Sequence, residues 1–408
     1  MKRNLTAITA LALIMCIGAS CSKEKETAPE KKDATVTWNC PNPMKSVLGK
    51  TDDEIRTKME ALWNHYFISP SGRIYRDCGD GTAYILDANN NDVRSYMQAW
   101  GMMICVQTDH KFEFDRLWKF AKDHMLHTEG NPDMAGRLSW QVSTSGATLD
   151  SYSQPDAEMY CAMSLLFASH RWGDSGTFDY NADAQFILGN MWRDNGYSLF
   201  NETTDVIVFQ PGPYTTFTDP AYNLPAFLTL FSLWSDTDSR KFAEAATAAR
   251  NHLYSSSHST SGLFPEYNSF DGIPHRVSFS DDHDKYMYEA MRCAMNFGTD
   301  YYLTGKDAAR QKIMAARLID FFDNDGYSHA RFNWDGTGAS ENYTIGEAGT
   351  NAVACICLMD DPDYSSKVLK NMQLAWEAAP MTSQYRSYDG LVHYLSMLHL
   401  CGMFKIWE

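Results

Sequence analysis

The chain reads as an all-α protein, a double ring of six helical hairpins, on three observations. Apolar residues recur at i, i+3, i+4 and i+7 along most of its length. Strand-like alternation is rare. Short and long connections alternate between the periodic segments, as expected when helices pair before the chain moves on.

In chain order, the helical period predicts helices near 52–67, 95–108, 111–127, 156–172, 181–194, 220–234, 238–256, 282–303, 307–323, 345–358, 363–378 and 388–403. The clearest stripes are Phe114, Leu117, Trp118 and Ala121; Met163, Leu166, Phe167 and His170; Phe227, Leu230, Phe231 and Trp234; and Leu391, Tyr394, Leu395 and Leu398. Such stripes bury one helix face, so their Met and aromatic side chains are core. Thr108-Asp109-His110 and Thr304-Gly305-Lys306 are too short to do more than turn the chain into an antiparallel neighbour. Ser69 to Arg94, Asn131 to Pro155, Asn195 to Asp219, Ser257 to Asp281 and Asp325 to Thr344 are long and rich in Gly, Pro, Asp and aromatics. Loops of that length in a compact domain are usually functional, and here they would build one rim of the double ring.

Ahead of the helices, Lys2 and Arg3 precede the apolar run Leu11 to Ile17, and Gly18-Ala19-Ser20 stands before Cys21. This is the pattern of a secretory signal (residues 1–20) ending in a lipobox, with Cys21 as the lipidated residue. The run is well short of the roughly 20 residues of a spanning helix. Ser22 to Asp33 is Lys, Glu and small or polar residues without period, so 21–40 is expected to be a flexible tether and 41–408 one domain. Attachment to the bacterial envelope through the lipid, on the outer membrane and possibly facing out, follows as an expectation. Removing residues 1–20 takes away Lys2 and Arg3 and no acid, so the formal charge of −16 becomes −18. No basic stripe appears, which excludes nucleic acid as a partner, and a monomer is expected. Of ten cysteines, Cys105, Cys161, Cys293, Cys355, Cys357 and Cys401 sit in apolar helical stretches as small buried thiols. Cys40 and Cys78 are the pair free to bridge. Without C-x-x-C or zinc spacing, neither metal nor cofactor is expected.

Tyr75, Tyr84, Trp140, Tyr214, Phe217, Tyr267, Phe270, Trp334, Tyr343 and Tyr385 lie in otherwise polar loops, where flat rings can stack on sugars. An acidic, aromatic-lined cleft suits a neutral oligosaccharide.

Longer segments sharpen this. Ala83-Tyr84-Ile85-Leu86-Asp87-Ala88-Asn89-Asn90-Asn91-Asp92-Val93-Arg94-Ser95 runs into Gly101-Met102-Met103-Ile104. Gln154-Pro155-Asp156-Ala157-Glu158-Met159-Tyr160, Thr218-Asp219-Pro220-Ala221-Tyr222, His283 to Arg292 and Tyr388-Asp389-Gly390-Leu391 follow in order. Over about residues 50 to 407 the chain resembles glycoside hydrolase family 8, and most of all the branch that releases xylose from the reducing end of xylo-oligosaccharides. The resemblance implies an (α/α)6 barrel and hydrolysis with inversion, which needs one protonated and one ionised carboxyl about 6.5–9.5 Å apart. It places the base at Glu289, in Tyr288-Glu289-Ala290-Met291-Arg292, where the family has Asp. It places the acid at Tyr96, where the family has Glu, and a third carboxylate at Asp156. Arg94, Glu158, Arg292, Trp140 and Tyr388 are the substrate-binding candidates.

Alternatives remain at each position. Tyr96 either packs on its helix or projects into the cleft, and as an acid it would start from a pKa near 10. Glu289 is a surface residue of its helix or a cleft carboxylate. Asp156 is a helix cap or a sugar contact. If the proton donor lies elsewhere, Asp92, Glu129 and Glu347 are the carboxylates in or near rim segments. Two other functions compete with hydrolysis of xylo-oligosaccharides or related β-linked glycans: a surface glycan-binding lipoprotein without catalysis, and, on Tyr96 and Arg94, a polysaccharide lyase.

Overall fold

The computed structural model describes residues 40–193, 195–280 and 282–408. The export signal, Cys21 and tether residues 21–39 lie outside the described residues. Among the described residues thirteen α-helices follow one another: α1 Pro43–Ser46, α2 Asp52–Trp63, α3 Ser95–Thr108, α4 Lys111–His124, α5 Pro155–Trp172, α6 Tyr180–Leu188, α7 Pro225–Trp234, α8 Ser239–Ser256, α9 Arg292–Thr304, α10 Ala308–Asp325, α11 Ile345–Ala354, α12 Ser365–Glu377 and α13 Tyr388–Leu400. The odd helices from α3 onward form a closed inner ring: α3 packs on α5, α5 on α7, α7 on α9, α9 on α11, α11 on α13, and α13 returns to α3. Each of α4, α6, α8, α10 and α12 backs the inner helix before it. On the outer side of α13 lies α2, where the Tyr394 hydroxyl donates to the Met59 carbonyl at 3.4 Å. This is the (α/α)6 barrel.

Composition sorts the helices between rings. The inner α3, SYMQAWGMMICVQT, carries no charge and buries every side chain from Ser95 to Gln107. The outer α4, KFEFDRLWKFAKDH, buries only the stripe Phe114, Leu117, Trp118, Phe120 and Ala121. A helix apolar all round belongs in the interior, and an amphipathic one belongs on the surface of the ring. Close approach of α9 and α11 rests on one glycine: a Cβ at Gly298 would stand 2.6 Å from the Val353 carbonyl oxygen.

The long connections hold seven short antiparallel strands: β1 Tyr75–Asp77 with β2 Ala83–Ile85, β3 Val93–Arg94 with β4 Gln141–Val142 and β5 Thr148–Asp150, and β6 His329–Arg331 with β7 Ser340–Asn342. Two or three residues are too few to register as alternation in sequence.

Helix boundaries shift where other forces outweigh the periodicity. The expected helix 282–303 begins only at Arg292, preceded by a 3₁₀ turn Tyr288–Met291. Tyr286 is drawn away from a helix by pairing with Phe332, N–H to carbonyl in both directions at 2.9 and 3.1 Å. The helix expected over 220–234 is interrupted after the 3₁₀ turn Pro220–Tyr222 because Leu224 precedes Pro225, which disfavours helical backbone there. The one near 181–194 stops at Leu188, capped by Gly189. Cys40 and Cys78 do not bridge: both are free thiols, and the Cys40 Sγ instead donates to the Phe404 carbonyl at 3.3 Å. The six helical cysteines are buried as expected.

Candidate active site

The N-terminal ends of the inner helices converge on one rim and enclose a cleft of about 860 Å³. Behind the lining residue Glu289 lies one buried guanidinium, itself outside the lining. Arg292 opens α9 and is 1% exposed, its plane lying 5.1 Å from the Trp100 ring and 5.9 Å from that of Tyr222. Its Nη1 donates to Asp156 Oδ2 at 2.6 Å and its Nη2 to Glu289 Oε2. Gln154 Nε2 reaches Glu289 Oε1 at 3.5 Å. Glu289 lines the cleft from the 3₁₀ turn, where Tyr288 takes a left-handed φ of 39°. Glu289 is therefore a cleft carboxylate and does not lie on a helix face.

Asp156, in the first turn of α5, caps nothing with its side chain and is fully buried. Burial pushes its carboxyl up to about 7 against the pull of Arg292, and its Oδ1 has no hydrogen-bond partner. A third carboxyl, Asp219, was not singled out by sequence. Its Oδ1 accepts from Ala221 N–H at 2.7 Å, its Oδ2 is buried without a partner, and burial together with the Glu289 charge holds it well above the usual carboxylate range. The Asp219-Pro220 step inside a matching segment was the only signal for it. Three carboxyls thus stand near one cation, and desolvation raises two of them, Asp156 and Asp219, as expected when buried charge exceeds its compensation.

Tyr96 does both things the sequence left open. Its ring packs edge-on against Trp100 at 5.0 Å and Tyr388 at 6.2 Å, and it also lines the cleft. Burial, then the charge of Glu289, raise its hydroxyl well above 10. Tyr388 lines the cleft too, with a buried hydroxyl that has no hydrogen-bond partner. Of the polar-loop aromatics, Tyr343 and Tyr385 also line it, and Tyr385 with Tyr288 stands at the mouth, 54% and 55% exposed. Trp334 instead donates to the Ser256 carbonyl at 3.0 Å, and Tyr75 is core.

Other candidates fall outside the lining. Arg94 is held by Asp92 at 2.8 and 2.9 Å and lies 4.4 Å over the Trp140 ring, so Trp140 stacks on arginine, and the pair braces the start of α3. Glu158 points away from Asp156 and is fully buried, accepting from Leu138 N–H at 2.7 Å and the Ser153 hydroxyl at 2.8 Å. It ties a rim loop to α5. Asp92 also accepts from Gln141 at 2.6 Å, and Glu129 is exposed on a turn. Among the three alternative donors, Glu347 alone lines the cleft.

Two further walls carry carboxyls. Glu266 accepts from His283 Nδ1 at 2.7 Å, and burial pushes it up to about 7. Burial opposes charge on His283, but the Glu266 hydrogen bond and charge outweigh it and raise the imidazole. Opposite, Glu347 and Thr344 form a capping box at the start of α11, and Asp389, at the start of α13, is pushed by burial to about 6.

Residues 46–372 match the glycosyl hydrolases family 8. The reducing-end xylose-releasing exo-oligoxylanase Rex8A of Paenibacillus barcinonensis is 35% identical over 369 residues, covering 88% of this chain and 94% of that protein. A reducing end xylose-releasing exo-oligoxylanase of Halalkalibacterium halodurans is 33% identical over 371 residues, covering 88% and 92%. The structure of Rex8A complexed with xylose superposes with a TM-score of 0.83 at 33% identity, covering 91% of this chain and 98% of that one. With a closed six-hairpin ring, a rim cleft floored by paired carboxyls, and these matches along nearly its whole body, the chain belongs to family 8 of the glycosyl hydrolases.

Proposed function

We propose that this protein hydrolyses short β-linked xylo-oligosaccharides with inversion, releasing xylose from the reducing end. The observation that carries the reading is Glu289, clamped by Arg292 at the floor of an aromatic-walled cleft in a chain 35% identical to an oligoxylanase. A volume of about 860 Å³ is that of a site for a small ligand and not of an open groove. Tyr96 and Tyr388 offer faces to a sugar, and Tyr288 and Tyr385 offer them at the mouth.

In this reading Glu289 is the base. It removes a proton from a water that attacks the anomeric carbon. Arg292 and Asp156 hold it in place, because a displacement near 1 Å costs about 100-fold in rate. The lipobox supports an enzyme anchored at Cys21 to the bacterial envelope, receiving oligosaccharides there. The test is incubation with xylobiose through xylohexaose, with products separated by chromatography and the first-formed anomer read by NMR. Xylose together with the next shorter oligomer, newly cleaved in the α configuration, is expected. No sugar released from any member of the series would refute the reading.

A further inference from the structure

Inversion requires a carboxylic acid to protonate the leaving oxygen, and the position at which the resemblance places it holds Tyr96. A hydroxyl raised well above 10 is poorly matched to that task near neutrality. Resting on the hydrolytic reading, we propose that Glu347, in the first turn of α11, is the proton donor to the glycosidic oxygen, so that the acid has moved from α3 to α11 within the same cleft.

The lining carboxyls are Asp87, Glu266, Glu289, Glu341, Glu347 and Asp389. Asp87 is occupied by Asn89 N–H at 3.0 Å and Asn90 Nδ2 at 2.7 Å, with Arg94 at 3.6 Å. Glu341 is exposed and paired with Arg331 at 3.1 Å. Glu266 has a cationic partner in His283 and feels the charge of Glu289, which puts it on the side of the base. Glu347 has neither feature. It is 3% exposed, and among the described residues its carboxyl is engaged by Thr344 alone, whose N–H donates to Oε2 at 2.9 Å. Burial first, then the neighbouring acids Asp389 and Glu341, raise its carboxyl well above the usual carboxylate range, with the Thr344 N–H opposing. Burial also raises Asp389, to about 6, so two carboxyls that both resist ionisation stand side by side on this wall.

Placement is fixed too. The capping box locks the first turn of α11. That turn packs against the element bearing the base: a Cβ on Gly346 would stand 2.8 Å from Met291 Cε and 2.8 Å from Asp389 Oδ1. In the reaction the Glu347 proton passes to the glycosidic oxygen as its bond to the anomeric carbon breaks, and the bonding pair stays on that oxygen. The water oxygen forms the new bond and gives its proton to Glu289. Proton exchange with solvent then restores both carboxyls.

Glu347→Gln retains the acceptor for Thr344 and removes the acidic proton. Against xylotriose, its kcat/KM is expected to fall about 100- to 10,000-fold. Against β-xylobiosyl fluoride, whose leaving group needs no proton, it should stay within about fivefold of wild type. Tyr96→Phe keeps the ring but loses a hydroxyl inside the cleft, so any loss should fall on both substrates alike. Glu347→Gln active on xylotriose to within about tenfold, equal losses on both substrates, or a xylotriose-specific loss in Tyr96→Phe each overturn the assignment. A wild type that releases nothing from xylotriose overturns the hydrolytic reading itself, whereas an active wild type with an unaffected Glu347→Gln overturns the donor alone.

Discussion

Replacing Arg292 by methionine removes the cation that joins Asp156 to Glu289 while keeping a side chain of similar length. Its bond to Asp156 is 2.6 Å long between side chains 2% and 0% exposed. At an effective dielectric of about 20, opposite charges at that distance attract by about 6 kcal/mol before desolvation is counted. Breaking a buried pair from one side typically costs about 3–5 kcal/mol, because the orphaned charge stays buried. The cost depends on pH in a stated direction. Asp156 titrates near 7 in the fold against 3.8 in the unfolded chain, so the native state holds its proton across that window and ionised Asp156 is destabilising above it. Without Arg292 the carboxyl rises further, and the window widens upward. The deficit of Arg292→Met should therefore be smaller near pH 5, where Asp156 is protonated in both proteins, and grow as pH rises through 7 toward 8, where only the wild type ionises it. Urea unfolding followed by tryptophan fluorescence at the two pH values measures it. Adding Asp156→Asn should recover about 1–3 kcal/mol near pH 8. A deficit below about 1 kcal/mol near pH 8, or one equal at both pH values, would refute the clamp.

Glu289→Gln should lower kcat on xylotriose at least about 1,000-fold, whereas Glu289→Asp, one methylene short of the Arg292 clamp, should lose about 10- to 100-fold; steady-state kinetics decide, and an unimpaired Asp variant would remove the case for precise placement. Tyr288→Ala and Tyr385→Ala should each raise KM a few-fold with kcat unchanged and stability within about 0.5 kcal/mol, since both rings stand exposed at the mouth. Glu158 is held near 7 by burial, against 4.5 unfolded, so its ionisation is destabilising as pH rises through that interval. Relative to wild type, Glu158→Gln should gain up to about 3 kcal/mol in unfolding free energy between about pH 4.5 and pH 8, and a pH-independent difference would show that Glu158 ionises as freely in the fold as out of it.

The ring itself was legible because it rests on local information. The inner helices are buried along most of their length and the outer ones along one stripe, and both patterns are written within eighteen residues or fewer. What escaped depends on distant partners. Tyr286 leaves the expected helix because Phe332, in another rim loop, pairs with its backbone. Trp140 sits in polar sequence and looked available to a sugar, but Arg94 already covers its face. Asp156 and Glu158 are two residues apart on one helix, roughly 200° around its axis. One therefore meets Arg292 behind the cleft lining while the other turns to Leu138 and Ser153. Glu347 was visible as one of three carboxylates in or near rim segments, but only the fold puts it in one cleft with Glu289. Asp219 gave almost no signal, since an aspartate before proline at a turn is ordinary.

The convergence of inner-helix N-termini on a single rim also bears on how such a protein can change. Tyr96, Asp156, Glu289, Glu347 and Asp389 each sit at or just before the start of a different inner helix, yet all gather around one cavity or its floor. The partial positive charge at those ends lets several acids crowd there without a matching number of basic side chains. With Glu347 as the donor, the rim would work as a set of interchangeable sockets: a proton-bearing group lost from one would be refitted in another with no new loop and no change of barrel. Lineages descending from such a scaffold would keep their architecture while the sequence position of a working group drifts, and comparing alignment columns one at a time would score an active descendant as a dead one.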